Sequence, residues 1–350
     1  MNKFTVKLIL FTVSILLIVT SVNYFGDAGD IFHEGKVAQI AKYLVEGYNV
    51  ANVDNIDERD LQRNIIKLSK INPSVIVLGS SRIMLIHSDY FKTNSFMNHG
   101  VSGASIEDMI GIYQLYKMKG TLPKKISIGV DPWIFNKNKG QDRWKTLAAE
   151  YESFFSSETN IKNSFTSFDK YYQLFSPSYF QSSIKILIKL VLNRKQTLPL
   201  PTKFKVNDGG TRLSDGSISY NLEYRNVTMQ DVDKKAKSYI SGDIYSLERY
   251  TSFDEKYLHL FNMFIDEILS NNIEVEFILM PYHPLVYDFL ISKKDYKIVI
   301  DFEKYIKDYA CRKNIPVTGS LNPYPFNLNS SHFYDGMHLN EKGVDTVLGK

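Results

Sequence analysis

The sequence predicts an α/β domain built on a parallel sheet, carried behind an apolar N-terminal segment. Three observations predict it. Short, unbroken apolar runs such as SVIVL (74–78) and EVEFILM (274–280) have the length and composition of strands buried on both faces. Segments with apolar residues at helical spacing separate these runs, and that alternation argues for a sheet covered by helices on both sides. The chain is 44% hydrophobic and 23% charged over 350 residues, enough apolar material for one large domain or two small ones.

Residues 8–22 are apolar and uncharged, with Lys3 and Lys7 before them. Extended to Phe25, the run reaches the about 20 residues a bilayer requires. No A-x-A-like cleavage site follows, and Asn23, Tyr24 and Phe25 suit an interfacial end. An uncleaved membrane anchor (1–25) is the expectation, with a cleaved signal as the alternative. Either leaves the N-terminus cytoplasmic and the remainder in the periplasm or cell exterior. Residues 26–70 follow as a juxtamembrane stalk, with helical spacing at Val37, Ile40, Ala41, Leu44 and Val45 and then the polar run DNIDERDLQRN.

Residues 71–350 form the working domain. Strands are expected at 74–78, 95–98, 125–130, 274–280 and 315–319. Helices are expected at 104–119, at 298–311, and after a capping box of Ser252 and Glu255. Residues 140–250 break this rhythm and read as a largely helical insertion, with helices over 143–157 and 176–193 and a turn-rich stretch between them and the next strand. Lys185 and Lys189 interrupt the apolar run 184–192, which reads as a core helix or one lying on a membrane.

One cysteine, Cys311, excludes an internal disulfide and a multi-cysteine metal site, and its helical setting suits a structural role. A net charge of +4 with no long basic run and no zinc spacing argues against nucleic-acid binding. The 23 Tyr and 22 Phe suit sugar or lipid-headgroup neighbours, or reflect composition alone. No metal or organic cofactor is implied.

Ligands of parallel sheets bind at the carboxyl ends of the strands. Four polar stretches fall there or near the C-terminus: Gly79-Ser80-Ser81-Arg82, NHGVSGAS (98–105), VDPW (130–133) and DGMH (335–338). A serine becomes a nucleophile when a base takes its proton, and histidine is the usual base near neutral pH. The histidine needs an acceptor on its other nitrogen. A D-x-x-H segment supplies both partners: Asp335 would orient His338, and His338 would face the serine. Backbone N–H groups at the serine and at a close-approach glycine such as Gly103 are candidate oxyanion donors.

In this order, the blocks resemble the SGNH (GDSL-like) hydrolase superfamily, over roughly residues 74–350 with the insertion excepted. The resemblance implies a flavodoxin-like, three-layer α/β fold. It sets Ser80 where the family carries Asp, Ser81 as nucleophile, and Gly103 as the oxyanion glycine beside the Ser81 N–H. Asp335 and His338 complete the triad. The third block departs: the family's Gly-x-Asn-Asp reads GVDPW here, and an ionised Asp131 would repel an oxyanion, so either Asn98 serves as a further donor or the hole has only two. The membrane segment and the GSS-type first block look more like SGNH proteins that place acyl groups on envelope polymers, such as alginate and peptidoglycan O-acetyltransferases and the D-alanyl-teichoic-acid protein. That likeness implies an envelope polysaccharide substrate and a membrane-bound O-acyltransferase partner supplying the acyl group. A non-catalytic assembly component of such a system is the alternative.

Arg82, Asp131, Trp133 and His283 are the candidate substrate-binding residues. Three of them have a second reading: an ion pair for Arg82, core packing for Trp133, a satisfied loop histidine for His283. His99 lines the site or is buried in a turn, and His332 reads as loop.

Overall fold

The computed structural model describes residues 2–27, 32, 35–53, 55–93, 95–156, 169–191 and 199–349. Helix α1 (Lys3–Gly26) precedes α2 (Lys36–Val45), strand β1 (Asn49–Ala51) and α3 (Glu58–Leu68). Then come β2 (Val75–Leu78), β3 (Phe96–Asn98), α4 (Ile106–Lys119) and β4 (Lys125–Gly129). The insertion carries α5 (Ala148–Ser153), α6 (Pro177–Val191), β5 (Leu200–Thr202), β6 (Thr211–Arg212), β7 (Ile218–Ser219), α7 (Leu222–Arg225) and α8 (Met229–Tyr239). After it follow α9 (Glu255–Ser270), β8 (Glu274–Leu279), α10 (Pro284–Ser292), α11 (Ile298–Lys313), β9 (Val317–Gly319) and α12 (Glu341–Leu348). Residue 157 and residues 192–193 of the two expected insertion helices lie outside the described residues.

Among the described residues, β3-β2-β4-β8-β9 form a parallel sheet in that order. Side-chain alternation explains its two covered faces. Ile76, Leu78, Phe277 and Leu279 enter one core with residues of α4, α9 and α11, while Val77 and Ile278 enter another with Ile83, Ile86 and, from α12, Val344 and Val347. The chain leaves β2 for β3 on one side and returns to β4 on the other. The order therefore reverses at β2, and the crevice beyond the carboxyl ends of β2 and β4 is where such sheets bind ligands. The cap of α9 is Asp254, whose side chain accepts the Lys256 N–H, rather than the expected Ser252. Cys311 is exposed on α11 and takes no part in the core.

Residues 26–70 are not a plain stalk. Asp57 caps α3 by accepting the Arg59 and Asp60 N–H groups, and the polar run conceals an amphipathic helix. Val37, Ile40, Leu44, Val50, Leu61 and Ile65 form a small core. Strand β1 pairs antiparallel with β5 and with β6, and β6 pairs with β7. The insertion is thus not purely helical: three of its short strands join the segment before the main sheet in a second sheet, which stands over the crevice.

Helix α1 is long and apolar enough to cross a membrane, and its apolar window is wholly unburied. Its last turn is built into the insertion. Asn23 Nδ2 donates to the Leu174 and Ser176 carbonyls (2.8 and 3.3 Å), and Tyr179 Oη donates to Asp27 Oδ1 (2.6 Å). Gly26 lies so close to Ser183 on α6 that a Cβ would stand 2.5 Å from its carbonyl oxygen. Residues 184–191 of the expected apolar run are therefore part of a helix packed on α1.

Candidate active site

Gly79 ends β2 with φ +148°, and a Cβ there would stand 3.0 Å from the Gly129 carbonyl of β4. Glycine lets the chain turn sharply at this point, and a 3-10 turn, Ser81–Ile83, follows at once. The two serines of the doublet separate here. Ser80 is fully buried and caps the turn, its Oγ accepting the Arg82 N–H at 3.2 Å. Ser81 faces the crevice. Its Oγ lies 2.8 Å from His338 Nε2.

His338 Nδ1 lies 2.9 and 3.1 Å from the two oxygens of Asp335. An ionised carboxylate only accepts, so Nδ1 carries the proton and Nε2 is left to accept from Ser81 Oγ–H. Asp335 Oδ1 also accepts the Met337 and His338 N–H groups at 2.8 and 2.9 Å, and Oδ2 accepts the Tyr224 hydroxyl. Burial pushes the Asp335 carboxyl up, but the His338 hydrogen bond and charge, with Tyr224 and the backbone donors, more than offset this and hold it well below the ordinary carboxylate range.

Arg82, proposed from sequence for substrate, is 3% exposed and has no free face. Nη1 donates to Asp131 at 2.9 Å, Nε to the Met337 carbonyl at 3.1 Å and Nη2 to the Met280 carbonyl, with the guanidinium 4.3 Å above the Tyr282 ring. It ties the residue after Ser81 to the residue before His338. Asp131, also expected at the substrate, is its buried counter-ion. Burial lifts the Asp131 carboxyl, against the pull of Arg82 and of a Ser80 hydrogen bond. The Asp in GVDPW therefore serves the Arg82 cluster and leaves the crevice.

Asn98 is not available as an oxyanion donor. Both amide hydrogens are committed, to the Ile83 and Ile86 carbonyls at 2.8 Å each, and Oδ1 accepts the Gly100 N–H. It pins the turn that carries Ser81. Trp133 is 1% exposed and donates Nε1–H to the Ala104 carbonyl, so it is core and stacks on no sugar. His283 caps α10, its Nδ1 accepting the Leu285 N–H, and Nε2 meets Ser330 Oγ at 3.1 Å. Its buried ring is likewise withdrawn from substrate.

Gly103 adopts φ +56°, and a Cβ there would meet the Tyr245 hydroxyl at 2.2 Å. The loop residue that lines the crevice is its neighbour Ser102, whose N–H donates to Glu58 Oε2 at 2.6 Å. The Ser81 N–H opens the 3-10 turn, where no preceding turn supplies an acceptor. The crevice is a cavity of about 360 Å³, and Ser81 and His338 share its wall with Glu58, Arg212, Tyr220 and Tyr224. Sequence reasoning missed these last four. None lies in a motif block, and three come from the insertion.

His99 does not line this cavity. It is fully buried, with Nδ1 2.6 Å from Gln62 Oε1 and Nε2 2.6 Å from Tyr116 Oη. Burial, then the charge of Arg212, lowers its pKa to about 3, so the folded protein keeps it neutral. The unfolded chain protonates His99 near pH 6.5. Stability is therefore complete above that value and falls as pH drops towards 3, by up to about 1.4 kcal/mol per pH unit. Denaturation midpoints between pH 6.5 and 5, where most carboxylates are still ionised, should show a steeper slope in wild type than in His99→Gln, in which only the other burial-lowered histidines, His283 and His332, still contribute. An equal slope in both would reject it.

No protein-family model matches the chain, and none of the curated proteins matches it. Among solved structures, a Bacteroides fragilis protein described as a "putative acylhydrolase" is similar over 79% of this chain and 82% of its own, at 12% identity and a TM-score of 0.34. Likeness of that degree carries no assignment.

Proposed function

We propose that this chain transfers acyl groups through an acyl-Ser81 intermediate, acting on an envelope polysaccharide from a membrane anchor. The observation that carries the reading is the unbroken series Ser81 Oγ, His338 Nε2, His338 Nδ1, Asp335. In it, His338 takes the Ser81 proton as Oγ attacks an ester or thioester carbonyl. It returns that proton to the leaving group as the tetrahedral species collapses. A sugar hydroxyl, deprotonated by the same histidine, then attacks the acyl-serine and regenerates the enzyme. Water in place of the sugar would make the protein an esterase. The Ser81 N–H is the nearest donor for the oxyanion.

The parallel sheet in the order β3-β2-β4-β8-β9 is the flavodoxin-like order and agrees with an SGNH fold. The second sheet lines the crevice through Thr211, Arg212, Ile218 and Ser219, and exclusion of water there would favour transfer over hydrolysis. As an uncleaved anchor, helix α1 would keep the domain beside a membrane-bound O-acyltransferase that supplies the acyl group, with the N-terminus cytoplasmic and the domain outside.

The test is intact mass after exposure to an activated acyl ester, with and without a polysaccharide acceptor. A mass gain of one acyl group, mapped to Ser81 and discharged by the acceptor, is the expected result. No covalent adduct under any acyl donor would sink the proposal. One observation favours the second reading, a non-catalytic binding component: the Ser102 N–H, in the loop expected to serve the oxyanion, is already taken by Glu58. That reading predicts polymer binding without acylation.

A further inference from the structure

Asp335 is held from two directions. Its own loop supplies the Met337 and His338 N–H groups to Oδ1. Its Oδ2 takes His338 Nδ1–H and, from 111 residues away, the Tyr224 hydroxyl. Tyr224 belongs to α7 in the insertion, and nothing in a Ser-His-Asp pattern requires it. A carboxylate fixed through one oxygen can still swing the other, and the imidazole follows Oδ2. The Tyr224 ring is itself well seated. It packs on Tyr220 and Tyr334 with centroids 4.7 and 5.0 Å away, and Lys235 Nζ sits 4.7 Å over its face. Tyr224 also lines the cavity with Ser81 and His338.

We propose that Tyr224 is a positioning residue for the Ser81–His338–Asp335 series: its hydroxyl fixes Asp335 Oδ2 so that His338 stays aimed at Ser81, which makes the insertion part of the reacting unit. This rests on the acyl-transfer reading above. No proton leaves Tyr224 at any step. Burial, then the Asp335 charge, raises its phenol far above the ordinary range, so it remains a donor throughout. The charged and titratable groups around the pair include His338, Tyr220, Tyr334, Lys235, Glu341, Tyr239 and His283. Donation withdraws charge from Asp335.

The experiment is a double-mutant cycle on the full chain in detergent, with p-nitrophenyl acetate as probe. Tyr224→Phe keeps the ring and its packing. It should lower kcat/KM roughly 10-fold, the scale of a hydrogen bond to a charged group, with KM little changed. In an Asp335→Ala background the same change should cost under about 2-fold, because the acceptor of the Tyr224 hydroxyl is gone. The downfield proton resonance of His338 Nδ1–H should also shift in Tyr224→Phe, a readout independent of turnover. Equal losses in both backgrounds, or no loss and an unmoved resonance, overturn the proposal. If wild type forms no acyl-Ser81 adduct, the acyl-transfer reading fails and this inference with it. If the adduct forms and the cycle shows no coupling, this inference alone fails.

Discussion

Ser81→Ala is expected to lower acyl transfer by roughly 10⁴-fold or more while leaving the fold intact, because only the attacking oxygen is lost. Asp335→Asn should fall on a similar scale, since an amide can present a donor where His338 Nδ1–H needs an acceptor. Ser80→Ala supplies the contrast. It removes the cap of the 3-10 turn, worth about 1 kcal/mol of stability, and should leave acyl-Ser81 formation in place. Acylation rates from intact mass, alongside thermal midpoints, separate the two serines. Retained acylation in Ser81→Ala would mean that the nucleophile is another group.

Arg82→Ala is expected to be the most destabilising single change among the residues discussed, at about 3–5 kcal/mol. Asp131 would remain as a buried carboxylate without its counter-ion, and the Met280 and Met337 carbonyls would each lose a charged donor. Asp131→Asn should cost less, and the double variant less than the sum, because both act on one cluster. Chemical denaturation measures this directly. A loss under about 1 kcal/mol would show that Arg82 is not a structural tie.

The main sheet was legible because its strands are apolar runs bounded by Pro, Gly or polar residues, and all five lie within two residues of their expected limits. The second sheet was not. Its strands are two or three residues long, LPT, TR and IS among them, too short to show a period of two. They exist because segments some 150 residues apart meet, which no local pattern records. The site divides in the same way. That Ser81, Asp335 and His338 meet was legible from the order of the GSS and D-x-x-H blocks along the chain. Arg82, Asp131, Asn98, Trp133 and His283 are polar or aromatic residues near strand ends, and polarity there suggested access to substrate. Each instead meets a distant or local partner inside the protein, and a buried polar group that finds its partners has none left for a ligand. The Tyr224 hydroxyl could not have been anticipated, since its role depends on where the insertion folds back.

The Arg82–Met337 hydrogen bond has a consequence for when the molecule becomes reactive. Its ends lie 255 residues apart, and the Ser81–His338 contact spans 257. Contacts of that range carry the largest loop-closure cost and form only when the intervening chain has condensed. A chain with its helices in place but its ends not yet joined therefore carries an ordinary alcohol at Ser81. On the acyl-transfer reading proposed above, Ser81 would gain its base only on completed closure, and a half-folded copy would not acylate its neighbours.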